Sequence, residues 1–131
     1  MKLITRNTDY SLRALIYMAK KGGIVSVREL ERALKIPRAF LRKILQALNK
    51  KGILASQKGP GGGFRLLVAP KDLRLLDVAS IFQGRVRLNE CLFKRKACPD
   101  IRKCPLKREL DNIESYALRR LGAISLAALL K

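Results

Sequence analysis

The three cysteines of this 131-residue chain lie close together, at Cys91, Cys98 and Cys104. Thiolates are soft ligands that suit zinc or iron–sulfur clusters, and clustered cysteines with basic and proline neighbours often hold a metal or a cluster. The gaps between them are six and five residues, whereas structural zinc sites normally pair cysteines roughly two to four residues apart. The pattern therefore indicates a metal or cluster site, and three reduced surface thiols are the simpler alternative.

A fourth ligand is not evident from residue type, because the chain has no histidine and no other cysteine. Zinc and iron–sulfur clusters usually take about four protein ligands. The remaining ligand would be an oxygen donor, an exogenous molecule or a residue of unusual type. Basic residues close to the cysteines would favour thiolates and an anionic cluster. They are Lys94, Arg95, Lys96, Arg102 and Lys103.

The charge of the chain is strongly positive, with 29 Lys and Arg against 10 Asp and Glu and a formal net charge of +19. Such an excess favours a polyanionic partner, most simply nucleic acid. A solubilising surface and a basic RNA- or ribosome-associated protein are the alternatives. RNA readers commonly stack bases on exposed aromatic side chains, and this chain has only four Phe and three Tyr. The composition therefore favours DNA.

Targeting signals and catalytic groupings are not evident in the sequence. It contains no apolar run long enough to span a membrane, which takes about 18 residues or more, and no signal-peptide core near its first residues. Three cysteines cannot all pair within one chain, which argues against a secreted disulfide framework. No acid/base pair or nucleophile–base arrangement stands out. We therefore expect a cytoplasmic protein that is not an enzyme.

Three helical patterns open the chain. Apolar residues recur at helical spacing over residues 8–21, and Ser26 and Glu29 form the pattern of a capping box for a helix over residues 27–34. Pro37 is suited to the first position of a third helix, which Gly52 follows. Two short helices joined by a few residues, the second of them basic, predict a helix-turn-helix.

A glycine-rich loop follows, between strand-like runs at residues 53–57 and 64–68. The loop residues Lys58-Gly59-Pro60-Gly61-Gly62-Gly63 suit the tip of a hairpin. A nucleotide-binding loop is the alternative, but such loops normally lead into a helix. A helix-turn-helix followed by a hairpin predicts a winged helix, a fold that is mostly α with a small β-hairpin wing.

The third helix and the hairpin carry the candidate DNA-binding residues. On the helix they occupy the face opposite the leucines, which could enter a major groove, although many amphipathic helices have a solvated basic face. Arg suits guanine and Lys suits phosphate, and glycines let the hairpin tip approach DNA closely. The candidates are Arg38, Ala39, Arg42, Lys43 and Gln46 on the helix, and Lys58, Gly59, Gly61, Gly62 and Arg65 at the wing.

Two further helices are predicted, one over residues 75–83 and a longer one that Pro105 opens and Gly122 ends. The longer helix carries an apolar stripe at 3- and 4-residue spacing and should span roughly 25 Å. It lies outside the winged core, so its stripe needs a partner surface. The stripe residues are Leu106, Leu110, Ile113, Ala117 and Leu121. Ser125 suits the cap of a final turn over residues 126–130.

The chain resembles the iron–sulfur winged-helix regulators of the IscR and NsrR type over nearly its full length. The matching segments are residues 8–15 in the first helix, 58–64 in the wing, 75–78 in the connecting helix, and the three cysteines with Pro105 and Leu106. The resemblance implies a homodimeric transcription factor that binds an operator in double-stranded DNA. Its units would be a winged helix DNA-binding domain at 1–84, a cysteine-rich cluster-binding loop at 85–104, and a dimerisation helix with a C-terminal turn at 105–131.

The resemblance also implies a bound iron–sulfur cluster, [2Fe-2S] or [4Fe-4S], held between the long helix and the DNA-binding domain of the partner subunit. Lys107 stands where IscR-like proteins have a histidine ligand, and the first cysteine gap is one residue longer than in the best-known members. NsrR-like proteins use an aspartate of the first helix, and Asp9 matches it. The implied ligands are then Cys91, Cys98, Cys104 and Asp9.

The function implied by the resemblance is a repressor whose operator affinity responds to redox state, nitric oxide or iron–sulfur status. Asp9 has an alternative interpretation, since an acid in the first turn stabilises the helix dipole. Asp100 and Glu90 are weaker candidates for the fourth ligand. A regulator of the same fold that uses zinc or thiol oxidation is the alternative function.

Overall fold

Five helices and one two-stranded antiparallel hairpin form the part of the chain that the computed structural model describes, residues 3–86 and 104–130. In chain order they are α1 (Arg6–Lys21), α2 (Val27–Leu34), α3 (Arg38–Lys50), β1 (Leu54–Gln57), β2 (Gly63–Leu66), α4 (Leu75–Gln83) and α5 (Pro105–Gly122). Short 3-10 turns lie at Pro70–Asp72 and Ala127–Leu130. The predicted class, mostly α with a small β-hairpin wing, is confirmed.

The ends of the elements follow from local hydrogen bonds. Helix α1 begins two residues before the predicted start, because the Thr5 hydroxyl caps it by accepting a hydrogen bond from the Thr8 N–H at 3.4 Å. Pro37 lies just outside α3, with an extended backbone (φ −55°, ψ 139°), so its predicted place as the first helical residue is wrong. Ile53 lies outside β1 because its N–H bonds to the Leu48 carbonyl at the end of α3.

The core of the winged helix lies between α1, α2 and α3. Leu15, Leu41, Leu45 and Leu48 are completely buried there, and each such side chain contributes roughly 1.5–3 kcal/mol on leaving water. The 3- and 4-residue spacing of the α3 leucines places them all on its inner face. Burial of this face fixes which side of α3 remains available to a partner.

The hairpin is attached to the helical core through Val25. Its strands pair in register from Leu54 opposite Leu66 to Gln57 opposite Gly63. Val25 then adds a single bridge to the second strand, since its N–H bonds to the Phe64 carbonyl at 2.8 Å and the Phe64 N–H returns to its carbonyl at 2.9 Å. An isolated hairpin is at best marginally stable in water, so this bridge helps to fix the wing.

The chain after α5 returns to the same core. Leu126 is 2% exposed and belongs to the buried cluster of the winged helix. Its N–H bonds to the Leu73 carbonyl at 2.8 Å, and the Leu75 N–H bonds to the Ile124 carbonyl at 2.9 Å. The hydroxyl of Ser125 accepts a hydrogen bond from the Ala128 N–H at 3.3 Å, as its predicted cap requires. The segment that follows α5 therefore packs against the core next to the residues that begin α4.

The last side chain of α4 holds the start of α1. Gln83 Oε1 accepts hydrogen bonds from the Thr5 N–H at 3.0 Å and from the buried Thr8 hydroxyl at 2.7 Å. Its Nε2 donates to the Leu3 carbonyl at 3.0 Å. A buried hydroxyl needs such a partner, so these bonds link the two helices that pack side by side. Within the described ranges, no helix is both long and apolar enough to cross a bilayer.

Candidate nucleic-acid interface and ligand residues

The outer face of α3 presents the cationic and amide side chains that the sequence predicts. The inner positions Leu41, Ile44, Leu45 and Leu48 are buried, and the outer positions are exposed. The exposed residues are Arg38, Ala39, Arg42, Lys43, Gln46 and Lys50. Helix α3 therefore offers a rigid polar surface whose orientation is set by the leucines beneath it.

The wing tip depends on glycine geometry. Gly59 and Gly61 have φ values of +92° and +74°, which glycine adopts without the penalty of a Cβ atom. A Cβ on Gly62 would lie 2.2 Å from the Gln57 carbonyl oxygen, and the Gly62 N–H closes the turn on the Gly59 carbonyl at 2.9 Å. Gly62 therefore has no room for a side chain, and the tip presents its backbone between two exposed cations, Lys58 and Arg65.

Most of the predicted DNA-binding cations are not engaged within the protein. Over the described residues, no ion pair or side-chain hydrogen bond involves Arg42, Lys43, Lys58 or Arg65. Arg38 differs, because its Nη2 lies 3.1 Å from Glu31 Oε1 on α2. Sequence reasoning missed this pair, whose spacing of seven residues spans the turn of the helix-turn-helix.

The predicted capping box of Ser26 and Glu29 forms only in part, because the Glu29 side chain bonds to α1. The Ser26 hydroxyl accepts a hydrogen bond from the Glu29 N–H at 3.0 Å, but the Glu29 carboxylate instead accepts from the Tyr17 hydroxyl at 2.7 Å and from the Lys21 ammonium. Lys21 first, and then Tyr17, lowers the pKa of the Glu29 carboxyl, and the bond to Glu29 raises the pKa of Tyr17. The carboxylate thus stays ionised at neutral pH and ties α1 to α2.

Of the predicted cysteine ligands, only Cys104 lies within the described residues. It is half-buried and occupies the N-cap of α5, whereas Cys91 and Cys98 fall outside the described ranges, as do Glu90 and Asp100. Over residues 3–86 and 104–130, no three acidic or cysteine side chains lie together in a group that could hold a metal ion. The thiolate chemistry of the three cysteines still suits an iron–sulfur cluster.

The oxygen ligand implied by the resemblance, Asp9, is engaged within its own helix. Its Oδ2 lies 3.0 Å from Arg13 Nε, and its side chain remains 47% exposed. Lys107, at the position of the IscR-type histidine, lies 2.7 Å from Asp111 Oδ2. The exposed ion pair of Asp9 contributes little to stability, as such pairs usually do, and the carboxylate remains accessible to solvent.

Helix α5 exposes the apolar side chains that should need a partner. Leu106 is 65% exposed and Ile113 is 55% exposed, and Tyr116, which the sequence reasoning did not single out, is 59% exposed. Its position three residues after Ile113 is the signal that could have found it. Leu121 instead packs against the core of the winged helix. Among the described residues, the exposed part of the stripe therefore covers about the first three turns of α5.

Comparisons with known proteins match almost the whole chain. Residues 4–131 match the Rrf2 family, described as an iron-dependent transcriptional regulator. A protein of Aquifex aeolicus is 36% identical over 92 residues, which is 70% of this chain but only 64% of that relative. The HTH-type transcriptional regulator NsrR of Halalkalibacterium halodurans is 32% identical over 130 residues, covering 97% of this chain and 89% of the relative.

Solved structures share the fold. A crystal structure of a Listeria innocua protein superposes with a TM-score of 0.81 at 25% identity, covering 99% of this chain and 86% of that one. CymR, the global cysteine regulator of B. subtilis, gives 0.76 at 21% identity (99% and 97% covered), and T. potens IscR gives 0.74 at 20% identity (99% and 86% covered). The match over residues 4–131 agrees with the winged helix and with the exposed polar face of α3. The chain is therefore a transcriptional regulator of the Rrf2 family, not an enzyme.

Proposed function

We propose that this regulator is a cytoplasmic homodimeric repressor that reads an operator in double-stranded DNA through α3 and the wing. The observation that carries the proposal is the exposed outer face of α3, whose cations Arg42 and Lys43 have no partner among the described residues. A polar helix backed by buried leucines matches the element that helix-turn-helix proteins place in the major groove. The excess of positive charge would supply attraction to phosphate.

In this proposal the two parts of the surface have different tasks. Side chains of α3 contact base edges, with arginine suited to guanine and alanine to the thymine methyl group. The wing contacts the backbone or the minor groove, where its glycines permit close approach. The helix residues are Arg38, Ala39, Arg42, Lys43 and Gln46, and the wing residues are Lys58, Gly59, Gly61, Gly62 and Arg65.

The proposed partner of α5 is α5 of a second copy. Supporting this, Leu106, Ile113 and Tyr116 are each more than half exposed on one helix, and a surface that exposes several large apolar side chains is typical of interfaces. A two-fold pair of subunits would also match an operator with two half-sites. The proposed units are the DNA-binding domain at 1–84, the cluster-binding loop at 85–104 and the dimerisation region at 105–131.

We further propose that Cys91, Cys98 and Cys104 hold an iron–sulfur cluster, with Asp9 of the second subunit as the fourth ligand. The family description as iron-dependent and the thiolate chemistry of the cysteines support this. Such a cluster supplies iron that reacts with oxygen or nitric oxide. Asp9 would be a harder and weaker ligand than a thiolate, so its position is where exchange is expected first. Arg13, which pairs with Asp9, would hold the carboxylate when it is not bound to the cluster.

A thiol-oxidation regulator of the same fold is the second candidate. Solved structures of this fold include an oxidised form of Staphylococcus aureus CymR at 21% identity, which bears on the fold alone. The observation that favours this candidate is that Asp9 pairs with Arg13 and Lys107 pairs with Asp111. Asp9 and Lys107 would each have to leave an ion pair in order to bind iron. Visible absorption of anaerobically purified protein separates the two candidates, because thiols and zinc are colourless.

The cluster proposal predicts different results for the two kinds of ligand. Cys104→Ala should lose iron and sulfide, because one of three thiolates from a single segment is removed. Asp9→Ala should retain a cluster of altered visible spectrum and altered nitric-oxide response, because an exogenous ligand can replace one carboxylate. Asp111→Ala, which removes another exposed acid from an i,i+4 ion pair, should match the parent. An Asp9→Ala protein that matches the parent in both readouts would remove Asp9 from the ligand set.

The DNA proposal predicts that Arg42 and Lys58 contribute differently. Arg42→Ala should weaken operator binding by about 1–3 kcal/mol and relax base preference, whereas Lys58→Ala should weaken binding to all sequences and reduce the salt slope by about one. Titration of operator and random duplexes at several salt concentrations measures both effects. Lys20→Ala, an exposed lysine of α1, controls for net charge. Equal losses on both duplexes for Arg42→Ala would refute its base-reading role.

A further inference from the structure

Glu31 spans the turn of the helix-turn-helix with both its backbone and its side chain. Its carbonyl accepts a hydrogen bond from the Lys35 N–H at 2.9 Å, and Lys35 has a left-handed backbone with φ +56°. Its carboxylate continues past the turn to Arg38, where Oε1 lies 3.1 Å from Nη2. One residue of α2 therefore accepts the last backbone hydrogen bond of its own helix and contacts the first side chain of α3.

The surroundings of this pair make Glu31 unusual. Glu29 and Glu31 are the only acidic residues between positions 27 and 66, and Glu29 bonds to Tyr17 and Lys21 on the α1 side. Glu31 is thus the one carboxylate of this segment that bonds to α3. Its side chain and that of Arg38 are 36% and 43% exposed, and pairs this exposed add little to stability. Holding Arg38 in place is then the more important consequence of the contact.

Orientation matters for an arginine at this position. The guanidinium is a planar group with five N–H donors in a fixed geometry. The contact between Nη2 and Glu31 restricts the orientation of this plane at the start of α3 and leaves the other N–H donors available. The N-terminal residues of a recognition helix are those that contact base edges. A free Arg38 could instead bind whichever phosphate it met.

We propose that Glu31 is a positioning and specificity-determining residue that acts on DNA through Arg38. It holds the guanidinium in the orientation used for base contact, so that Arg38 is less available for phosphate contacts with random DNA. Specificity is a difference between affinities, and a residue that limits contacts with the wrong partner contributes to it. This inference rests on the proposed DNA-binding function of α3.

The first test compares Glu31→Gln with Asp111→Asn. Each replaces one exposed, ion-paired acid by its amide, so the added positive charge is the same, but Asp111 lies on α5. The measured quantity is the ratio of dissociation constants for a random duplex and for a duplex obtained by binding-site selection. Glu31→Gln should lower this ratio about three- to tenfold, chiefly through tighter binding to random DNA. Asp111→Asn should leave the ratio at the parent value.

The second test asks whether Arg38 mediates the effect. In an Arg38→Ala background, Glu31→Gln should no longer change the ratio. An equal drop in both backgrounds, or a parent-like ratio for Glu31→Gln alone, would overturn the inference. Thermal unfolding of each variant checks that the fold is retained, as expected for an exposed pair. A parent protein that does not distinguish the two duplexes would instead overturn the proposed function, so the two failures can be told apart.

Discussion

Ile113→Asp should convert the protein from a dimer to a monomer and weaken binding to a two-half-site operator by ~10²-fold or more. The side chain is 55% exposed in the single chain, and its helical spacing from Leu106 and Tyr116 places all three on one face of α5. If a second copy covers this face, the substitution buries an unpaired charge, which is costly. The monomer then loses the gain in affinity that comes from engaging two linked half-sites.

Ser115→Asp is the matched control for this substitution. It adds the same charge to the same helix, at an exposed position two residues further along, which helical geometry places on the other side. Sedimentation should show a dimer for Ser115→Asp and a monomer for Ile113→Asp. The operator should carry half-sites about one helical turn apart, or a multiple of it. An intact dimer for Ile113→Asp would place the interface on another surface.

Gly63→Ala should detach the wing and reduce the free energy of unfolding by roughly 2 kcal/mol or more. Gly63 has φ +154°, and a Cβ atom there would lie 2.3 Å from the Val25 carbonyl oxygen and 2.9 Å from the Ser26 Cα. These are backbone atoms, so they cannot move aside as a flexible side chain could. The bridge between Val25 and Phe64 must open to make room, and the hairpin loses its attachment to the helices.

Gly61→Ala, in the same loop, separates the clash from the general cost of replacing glycine. Gly61 has φ +74°, but a Cβ atom added to it would meet nothing within 4 Å, so its cost should be limited to backbone strain of about 1 kcal/mol. Chemical denaturation gives the two stabilities, and amide exchange at Val25 and Phe64 reports the bridge directly. Parent-like exchange in Gly63→Ala would mean that the wing adjusts without opening the bridge.

Helix boundaries set by local signals could be predicted from the sequence. Helix α4 ends before Gly84 and α5 begins at Pro105, as expected, because glycine and proline act on their own backbone. The outward face of α3 was equally accessible to prediction, since its apolar residues at helical spacing determine which side is buried. The exposed arginines and lysines then follow without knowledge of any distant contact.

Contacts between distant residues could not be predicted in the same way. The burial of Leu126 beside Leu73, and the bonds of Gln83 to Thr5 and Thr8, join residues far apart in sequence. The capping box failed in part for a related reason, because the Glu29 carboxylate bonds to Tyr17 and Lys21 on α1 and not to its own helix terminus. The periodicity of apolar residues predicts which face of a helix is buried, but it does not predict which polar groups will form hydrogen bonds with each other.

In the candidate site, too, the features of a single helix could be predicted, and the contacts between side chains could not. The exposure of its cations follows from the pattern of α3, whereas the pairing of Arg38 with Glu31 and of Asp9 with Arg13 needed coordinates. The predicted ligands Cys91 and Cys98 lie outside the described residues, so their role stays a prediction. Cys104 is placed by Pro105, which opens α5 immediately after it.

The return of Leu126 to the core has a bearing on how regulators of this kind can diverge. The bond of Leu126 to Leu73 and that of Ile124 to Leu75 join the chain before residue 87 to the chain after residue 103. Substitutions between these two segments would leave those bonds in place, so the winged helix and its final turn can be inherited together while the intervening residues change.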